Sequence, residues 1–212
     1  ANIPNPASGE YGYNAIPTVA GGVLWFTTNK GKLYKTTDMG ITWTKLNTPL
    51  TDFGATAVNG KVFFSDANNG YILGTSDSGT TYKLYKTTNG GTTWDAGTVY
   101  TGYRLMTCVP NTSILVACGA GTSSGGTGSA YSINGGTTWT SIDTGAQRLS
   151  PSFLNPTTGW CGGFSSDPFT GGVFKFSGAL SVSNTTNPKS FKIYPNPAIS
   201  SVTISSETAE LE

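Results

Sequence analysis

The chain alternates short apolar and aromatic runs with clusters of Gly, Asn, Asp, Ser and Thr, and no long stretch carries apolar residues at helical spacing. Across 61–97 the runs are KVFFSD, GYILGTS, TYKLYKTT and TTWDAG, and the turns between them are ANN, DSG and NGG. Asn, Asp and Gly tolerate the left-handed backbone that tight hairpins require. The pattern therefore predicts an all-β chain built from units of four antiparallel strands.

One eight-residue pattern, Ser/Thr-x-Asp/Asn-x-Gly-x-Thr-Trp, occurs three times and is called the box below. Its copies are TTDMGITW at 36–43, TTNGGTTW at 87–94 and SINGGTTW at 132–139. Each copy follows a strand-like run whose aromatic anchor residue we assign as Tyr34, Tyr85 or Tyr131. The anchors recur about every fifty residues, which is the period of one four-stranded propeller blade.

A fourth repeat becomes visible in the same register. GYILG at 70–74 and GWCGG at 159–163 lie equally far before Lys86 and Lys175, which makes Phe174 the fourth anchor. Its box has decayed to SGAL and has no tryptophan. The repeats predict a propeller region over 1–180, with blades at approximately 14–50, 51–100, 101–145 and 146–180.

The box predicts a structural turn rather than a ligand site. We expect its Asp or Asn side chain to accept hydrogen bonds from turn N–H groups, and its glycine to take positive φ. Each tryptophan should pack beneath the turn and contribute about 2–3 kcal/mol by burial. The predicted structural residues are Asp38, Gly40, Trp43, Asn89, Gly91, Trp94, Asn134, Gly136 and Trp139.

The box resembles the Asp-box, or bacterial neuraminidase repeat, of sialidases, sortilin-type receptors, xyloglucanases and photosystem II stability factor-like proteins. The resemblance covers roughly residues 14–178 and implies a β-propeller with the box between the third and fourth strands of a blade. Those propellers commonly have six or seven blades, so the chain is either a fragment of a larger ring or a ring that closes with fewer blades. An open arc of four would expose sheet faces that a second copy or further sequence must cover.

The composition changes after residue 180. Residues 181–190 form a polar linker, and in 191–206 Phe191, Ile193, Val202 and Ile204 alternate with polar residues. This alternation predicts a short C-terminal pair of strands.

The string YPNPA within 191–212 resembles the start of the C-terminal sorting domain of the Por, or type IX, secretion system of Bacteroidetes. The residues that carry this resemblance are Tyr194, Pro195, Asn196 and Pro197. It implies that the secretion machinery is a partner. It also implies that the protein is secreted or lies on the outer surface of a Gram-negative cell.

The net charge and the cysteine content indicate which partners, metals and disulfides to expect. A net charge of +1 without basic clusters predicts no nucleic-acid binding, and no apolar run is long enough to span a bilayer. With no histidine and no ligand spacing among Cys108, Cys118 and Cys161, we expect no metal and no cofactor. An odd number of cysteines allows at most one bridge, either Cys108–Cys118 or Cys118–Cys161, or three buried free thiols.

The number of arginines argues against sialidase activity, whereas the carboxylates argue less strongly against glycoside hydrolysis. Sialidases, as a family, hold the substrate carboxylate with three arginines, and this chain has only Arg104 and Arg148. Glycoside hydrolysis needs only two carboxylates, but no candidate lies in a motif. The candidates are Glu10, Asp52, Asp95, Asp143 and Asp167.

The sequence favours a non-catalytic surface or extracellular module that binds a glycan or a protein, or that scaffolds a larger protein. The alternative is a fragment of a polysaccharide-active hydrolase or lyase that uses Asp or Glu residues. Residues 119–129, GAGTSSGGTGS, are predicted to form a flexible hairpin loop. Aromatic residues that could present a stacking surface, but fit a core role better, are Tyr11, Tyr13, Trp25, Tyr100, Tyr103 and Phe169.

Overall fold

The computed structural model describes residues 2–12, 18–53, 60–75, 81–164, 172–180, 191–194 and 203–206. The chain divides into two compact units, residues 1–180 and 181–212. Within the described ranges the helical content is one short 3-10 turn, Thr122–Ser124. None of the helical structure in these ranges is long and apolar enough to cross a membrane. The predicted all-β class is confirmed.

The first unit consists of four antiparallel sheets, called blades 1 to 4, with strands in sequence order. Blade 1 contains β1 Thr18–Ala20, β2 Val23–Thr27, β3 Lys32–Thr36 and β4 Thr44–Asn47. Blade 2 contains β5 Gly60–Phe64, β6 Gly70–Gly74, β7 Tyr82–Thr87 and β8 Thr98–Tyr100. Blade 3 contains β9 Leu105–Cys108, β10 Leu115–Gly121, β11 Gly126–Ser132 and β12 Thr140–Thr144. In blade 4 the described residues form β13 Leu149–Asn155, β14 Thr158–Gly162 and β15 Val173–Lys175.

Consecutive blades stack face to face in a propeller arrangement. Their first strands lie side by side, since β1 contacts β5, β5 contacts β9 and β9 contacts β13. We call the face turned toward the next blade the forward face and the opposite one the back face. The core lies between blades: Trp25 and Leu33 on the forward face of blade 1 pack against Phe64 on the back face of blade 2. The predicted propeller-type repeats are confirmed.

The register of the third blade differs from the prediction. Tyr34 and Tyr85 lie four residues before the Asp or Asn of their boxes, and both are buried. Tyr131 lies only three residues before Asn134, so Ala130 holds the anchor position and pairs with a residue of β10. The assignment of Tyr131 as an anchor is wrong. Aromatic spacing alone misplaced it, whereas spacing from the box places it correctly.

Two further local predictions, one of a strand and one of a loop, are wrong. The fourth strand of blade 2 begins at Thr98 rather than within 92–97, because Asp95 accepts the Lys86 N–H through its side chain and interrupts the ladder. Residues 119–129 are mostly strand rather than a flexible hairpin loop, because β10 and β11 pair as far as Gly121 and Gly126. The small residues there leave room for the Tyr103 ring, which lies against several glycines of the hairpin.

The second unit contains one described hairpin. Its strands are β16 Phe191–Tyr194 and β17 Thr203–Ser206, and Ile193 pairs with Ile204. The predicted short C-terminal β segment is confirmed. Pro195, Asn196 and Pro197 of the sorting motif, like the linker 181–190, lie outside the described residues.

Candidate functional site

Each box closes its turn through one side-chain oxygen. In the first box Asp38 Oδ1 accepts from the Thr42 N–H at 2.9 Å and from the Thr36 hydroxyl at 2.8 Å, while Thr36 Oγ1 accepts from the Gly40 N–H at 2.9 Å. The Thr42 hydroxyl also donates to the second oxygen of Asp38. These bonds, first from the Thr42 hydroxyl and then from its N–H, lower the pKa of Asp38 to about 2. The hydrogen bonds to the Asp38 carboxylate therefore come from residues of the turn itself.

The second and third boxes make the same bonds with an amide. Asn89 Oδ1 accepts from the Thr93 N–H at 2.9 Å, and Asn134 Oδ1 accepts from the Thr138 N–H at 2.9 Å. Their amide nitrogens donate to the hydroxyls of the same two threonines. Asp and Asn are interchangeable here because the threonine hydroxyl serves as donor to one and as acceptor from the other.

The boxes also hold each blade to the preceding one. A side chain on Gly91 would meet Leu33 of blade 1, and one on Gly136 would meet Leu84 of blade 2. Trp25 Nε1 of blade 1 donates to the carbonyl of Gly90 at 3.2 Å. The box is thus a contact between blades as well as a turn.

The box tryptophans fill the space beside these contacts. Trp94 packs against Phe64 and Trp139 against Tyr100, with ring centroids 6.2 and 5.4 Å apart. Trp139 Nε1 donates to the carbonyl of Gly136 at 3.2 Å, and Trp43 makes the same bond in blade 1. The box residues therefore serve the fold.

Blade 4, which has lost its box tryptophan, borders a cavity of about 330 Å³ between blades 3 and 4. Ser177 and Gly178 of the decayed box line it, and Leu180 is buried in the adjoining core. Blade 3 has Ser129 at the position of Leu33 and Leu84, so a smaller side chain adds to the space. This cavity is the candidate functional site.

One wall of the cavity carries a polar network. Asp143 Oδ2 accepts from Arg148 Nε at 3.1 Å and Nη2 at 2.7 Å, while its Oδ1 accepts from the Ser129 hydroxyl at 2.7 Å. The guanidinium carbon lies 3.9 Å from the centroid of the Phe174 ring. Arg148 is anchored at its backbone N–H, which donates to the carbonyl of Gly119. A guanidinium has five donors, so this arrangement holds it rigidly with donors to spare.

The other walls are mainly apolar. Val116, Phe153, Phe174 and Phe176 contribute rings and a branched side chain, and Ile142 lies beside Asp143. An apolar cavity with a few converging polar groups has the general form of a small-molecule binding site.

The thiols divide between two interfaces. Cys108 is opposite Leu115 on the back face of blade 3, whereas Cys118 is on the forward face and lines the cavity with Cys161. Burial raises the pKa of Cys108 and of Cys118 to about 12. All three cysteines are free, and the opposite facing of Cys108 and Cys118 rules out the first bridge.

One of the carboxylate candidates, Asp143, lines the cavity. Glu10 pairs with Lys45, and although burial raises its pKa, hydrogen bonds led by that lysine lower it overall. Asp95 accepts backbone N–H groups within blade 2, and Asp52 lies in the segment after blade 1. Asp167 lies outside the described residues.

The aromatic candidates that the structure describes do not gather into a stacking surface. Trp25 and Tyr100 are buried between blades, and the Tyr103 hydroxyl donates to the carbonyl of Thr127. Tyr11 is exposed near the N-terminal end. Tyr13 and Phe169 lie outside the described residues.

Sequence reasoning missed Arg148, Phe174 and Ser129 as site residues. The absent tryptophan of the fourth repeat was the available signal, since a missing core side chain leaves space. Among the residues that the structure describes, no three His, Cys, Asp or Glu side chains are grouped to hold a metal ion.

No protein-family model and no curated protein matches the sequence. Among solved structures, the chain is similar to the GH74 enzyme of Niastella koreensis, with 21% identity and a TM-score of 0.54. The match covers 86% of this chain and 31% of that one, so the chain spans about a third of the enzyme's length.

Two YCF48 structures are also similar, each at 14% identity. YCF48 bound to D1 peptide is matched over 81% of this chain and 57% of that one, with a TM-score of 0.44. YCF48 from Cyanidioschyzon merolae is matched over 82% and 61%, with a TM-score of 0.46. At 21% identity, the similarity to the GH74 enzyme shows that the two chains share the β-propeller fold.

Proposed function

We propose that the chain is a non-catalytic module that binds an extracellular glycan in the cavity between blades 3 and 4. The observation that carries this proposal is the network of Ser129, Asp143 and Arg148 beside the rings of Phe174 and Phe176. Sugars offer a C–H face that packs on aromatic rings and hydroxyls that bond to charged groups. The cavity volume of about 330 Å³ suits a short saccharide segment.

The same residues favour binding over hydrolysis. Paired-carboxylate hydrolysis needs two acids flanking the scissile bond, one of them with a raised pKa. Among the described acidic residues only Asp143 lines the cavity, and Arg148 and Ser129 already engage both of its oxygens. We therefore expect glycan retention without cleavage.

A glycan array with plant and microbial polysaccharides tests the proposal, together with an assay for newly released reducing ends. Arg148→Ala should abolish retention because it removes the fixed donors. Val99→Ala is the matched control, since Val99 is exposed on β8 of blade 2. Retention that survives Arg148→Ala would contradict this site, and release of reducing ends would favour the hydrolase or lyase alternative.

We further infer that the boxes are Asp-boxes and that 191–212 begins a type IX sorting domain, which would make the protein secreted or surface-bound. Support for the first inference is the same hydrogen-bond pattern in three blades. Support for the second is the hairpin β16–β17, whose first strand ends at Tyr194 of the motif. Deleting 191–212 from the protein in its own cell should leave it in the periplasm. Unchanged export would reject the sorting role.

A further inference from the structure

The forward face of blade 4 repeats the side chains with which blades 1 and 2 hold their next blade. An aromatic residue lies opposite a lysine in three blades, as Trp25–Lys35, Tyr71–Lys86 and Trp160–Lys175. Two residues before that lysine, an aliphatic residue lies on the same face, as Leu33, Leu84 and Val173. Blade 4 thus carries the receiving surface of an interface between blades.

Among the described residues of the first unit, the side chains of this surface are exposed. In blade 2, where blade 3 covers this face, Tyr71 is 7% exposed and Leu84 is 1% exposed. In blade 4 the corresponding Trp160 is 38% exposed and Val173 is 72% exposed. Leu154, on the first strand of blade 4, is also exposed. Adjacent exposed apolar side chains on one sheet face mark an interaction surface.

The other end of the arc exposes the matching part. On the back face of blade 2, Phe64 stacks on Trp25 with centroids 3.8 Å apart and planes 1° from parallel. Counted by strand pairing, blade 1 has Val19 at the position of Phe64, and it is 64% exposed. Met39 in the first box, at the position of Gly90, is fully exposed.

We propose that the forward face of blade 4 docks the back face of blade 1 from a second copy of this chain, head to tail. Val19 of one copy would pack on Trp160 of the other as Phe64 packs on Trp25. The Trp160 indole N–H would then donate to the Met39 carbonyl, as Trp25 does to Gly90. Two such contacts related by a two-fold axis close a ring of eight blades, which is within the usual range of propellers.

Light scattering of the purified full chain tests the contact. The wild type should have twice the 22.0 kDa mass of the chain, and Val173→Asp or Val19→Asp should each halve the measured mass. Val99→Asp is the control, because Val99 is as exposed as Val19 but lies on β8 of blade 2. Unchanged circular dichroism shows that the variants fold. A wild type that is monomeric at every concentration, or a mass that both variants leave unchanged, overturns the proposal.

Mixing the two variants tests the head-to-tail geometry. The Val19→Asp chain keeps an intact blade 4 and the Val173→Asp chain keeps an intact blade 1, so the mixture should regain one contact and the dimer mass. A mixture that stays monomeric indicates that like faces pair, and it rejects the head-to-tail contact. No glycan is present, so the result is independent of the proposed binding site.

Discussion

Two neighbouring interfaces, between blades 2 and 3 and between blades 3 and 4, have the same strand arrangement. The first is filled by side chains, whereas the second contains a cavity. In the first, Trp139 packs against Tyr100, and Gly136 lies against Leu84. In the second, the box tryptophan is missing and Ser129 replaces the leucine, which leaves the cavity. The intact box fills the first interface, and its absence from blade 4 leaves space in the second.

The largest effect should come from emptying the filled interface. Trp139→Ala removes the ring that packs under the third box and should lower the free energy of unfolding by about 3–5 kcal/mol. Urea denaturation followed by circular dichroism measures this. A loss below about 1 kcal/mol, the size of an ordinary surface effect, would show that the tryptophan does not hold this interface.

The box glycine gives the next effect and has a matched control in the first blade. Gly136 and Gly40 have φ near +87° and +88°, but a side chain at Gly136 would meet Leu84 whereas one at Gly40 would meet only its own Trp43 at 3.6 Å. Gly40→Ala should cost about 1–2 kcal/mol through its backbone alone. Gly136→Ala should cost about 2–4 kcal/mol because overpacking is added. Equal losses in urea denaturation would mean that the box does not join the blades.

Thiol labelling contrasts the closed and open interfaces directly. The thiolate is the reactive form, and burial raises the pKa of Cys108 to about 12, so little thiolate exists at pH 8. Cys161 is less buried and lines the cavity, so alkylation of the native protein should reach it first. Mass spectrometry of the peptides reads the order. Labelling of Cys108 before Cys161 would show that the filled interface is the more open one.

The smallest expected effect is on the acid sensitivity of stability, which depends on pH through the first box and not through the other two. Since the pKa of Asp38 is lowered from 3.8 to about 2, its contribution to stability is complete above the unfolded value and is lost as pH falls through the folded value. Asn89 and Asn134 do not titrate. Asp38→Asn should therefore lose less stability than the wild type between pH 4 and 2, as measured by urea midpoints. Identical acid sensitivity would show that Asp38 is not held as a carboxylate.

The sequence predicted the blades and boxes because both depend on local patterns. Alternation of apolar residues sets the strands, and the Asp or Asn and Gly of each box set a turn within eight residues. The error at Tyr131 arose from aligning aromatic rings instead of the turn, where hydrogen bonding fixes the register. Asp95 similarly ended a strand pair through a side-chain bond that no alternation reveals.

The site was less predictable because it is assembled by distant parts of the chain. Ser129 and Asp143 come from blade 3, Arg148 from the connection and Phe174 from blade 4, and none lies in a motif. Space in a protein interior depends on which side chains meet across an interface, and periodicity does not supply that. The missing tryptophan was a signal from which a gap could have been predicted, but not the polar network that borders it.

Calorimetric titration of the best-retained oligosaccharide into wild type and Ser129→Leu tests whether the cavity between blades 3 and 4 binds a glycan. Leucine restores the residue that blades 1 and 2 have at this position, fills the cavity and removes one hydrogen bond to Asp143. We expect saturable binding to the wild type and no binding to Ser129→Leu, with folding intact. Equal affinity in the two proteins would contradict a ligand site between blades 3 and 4.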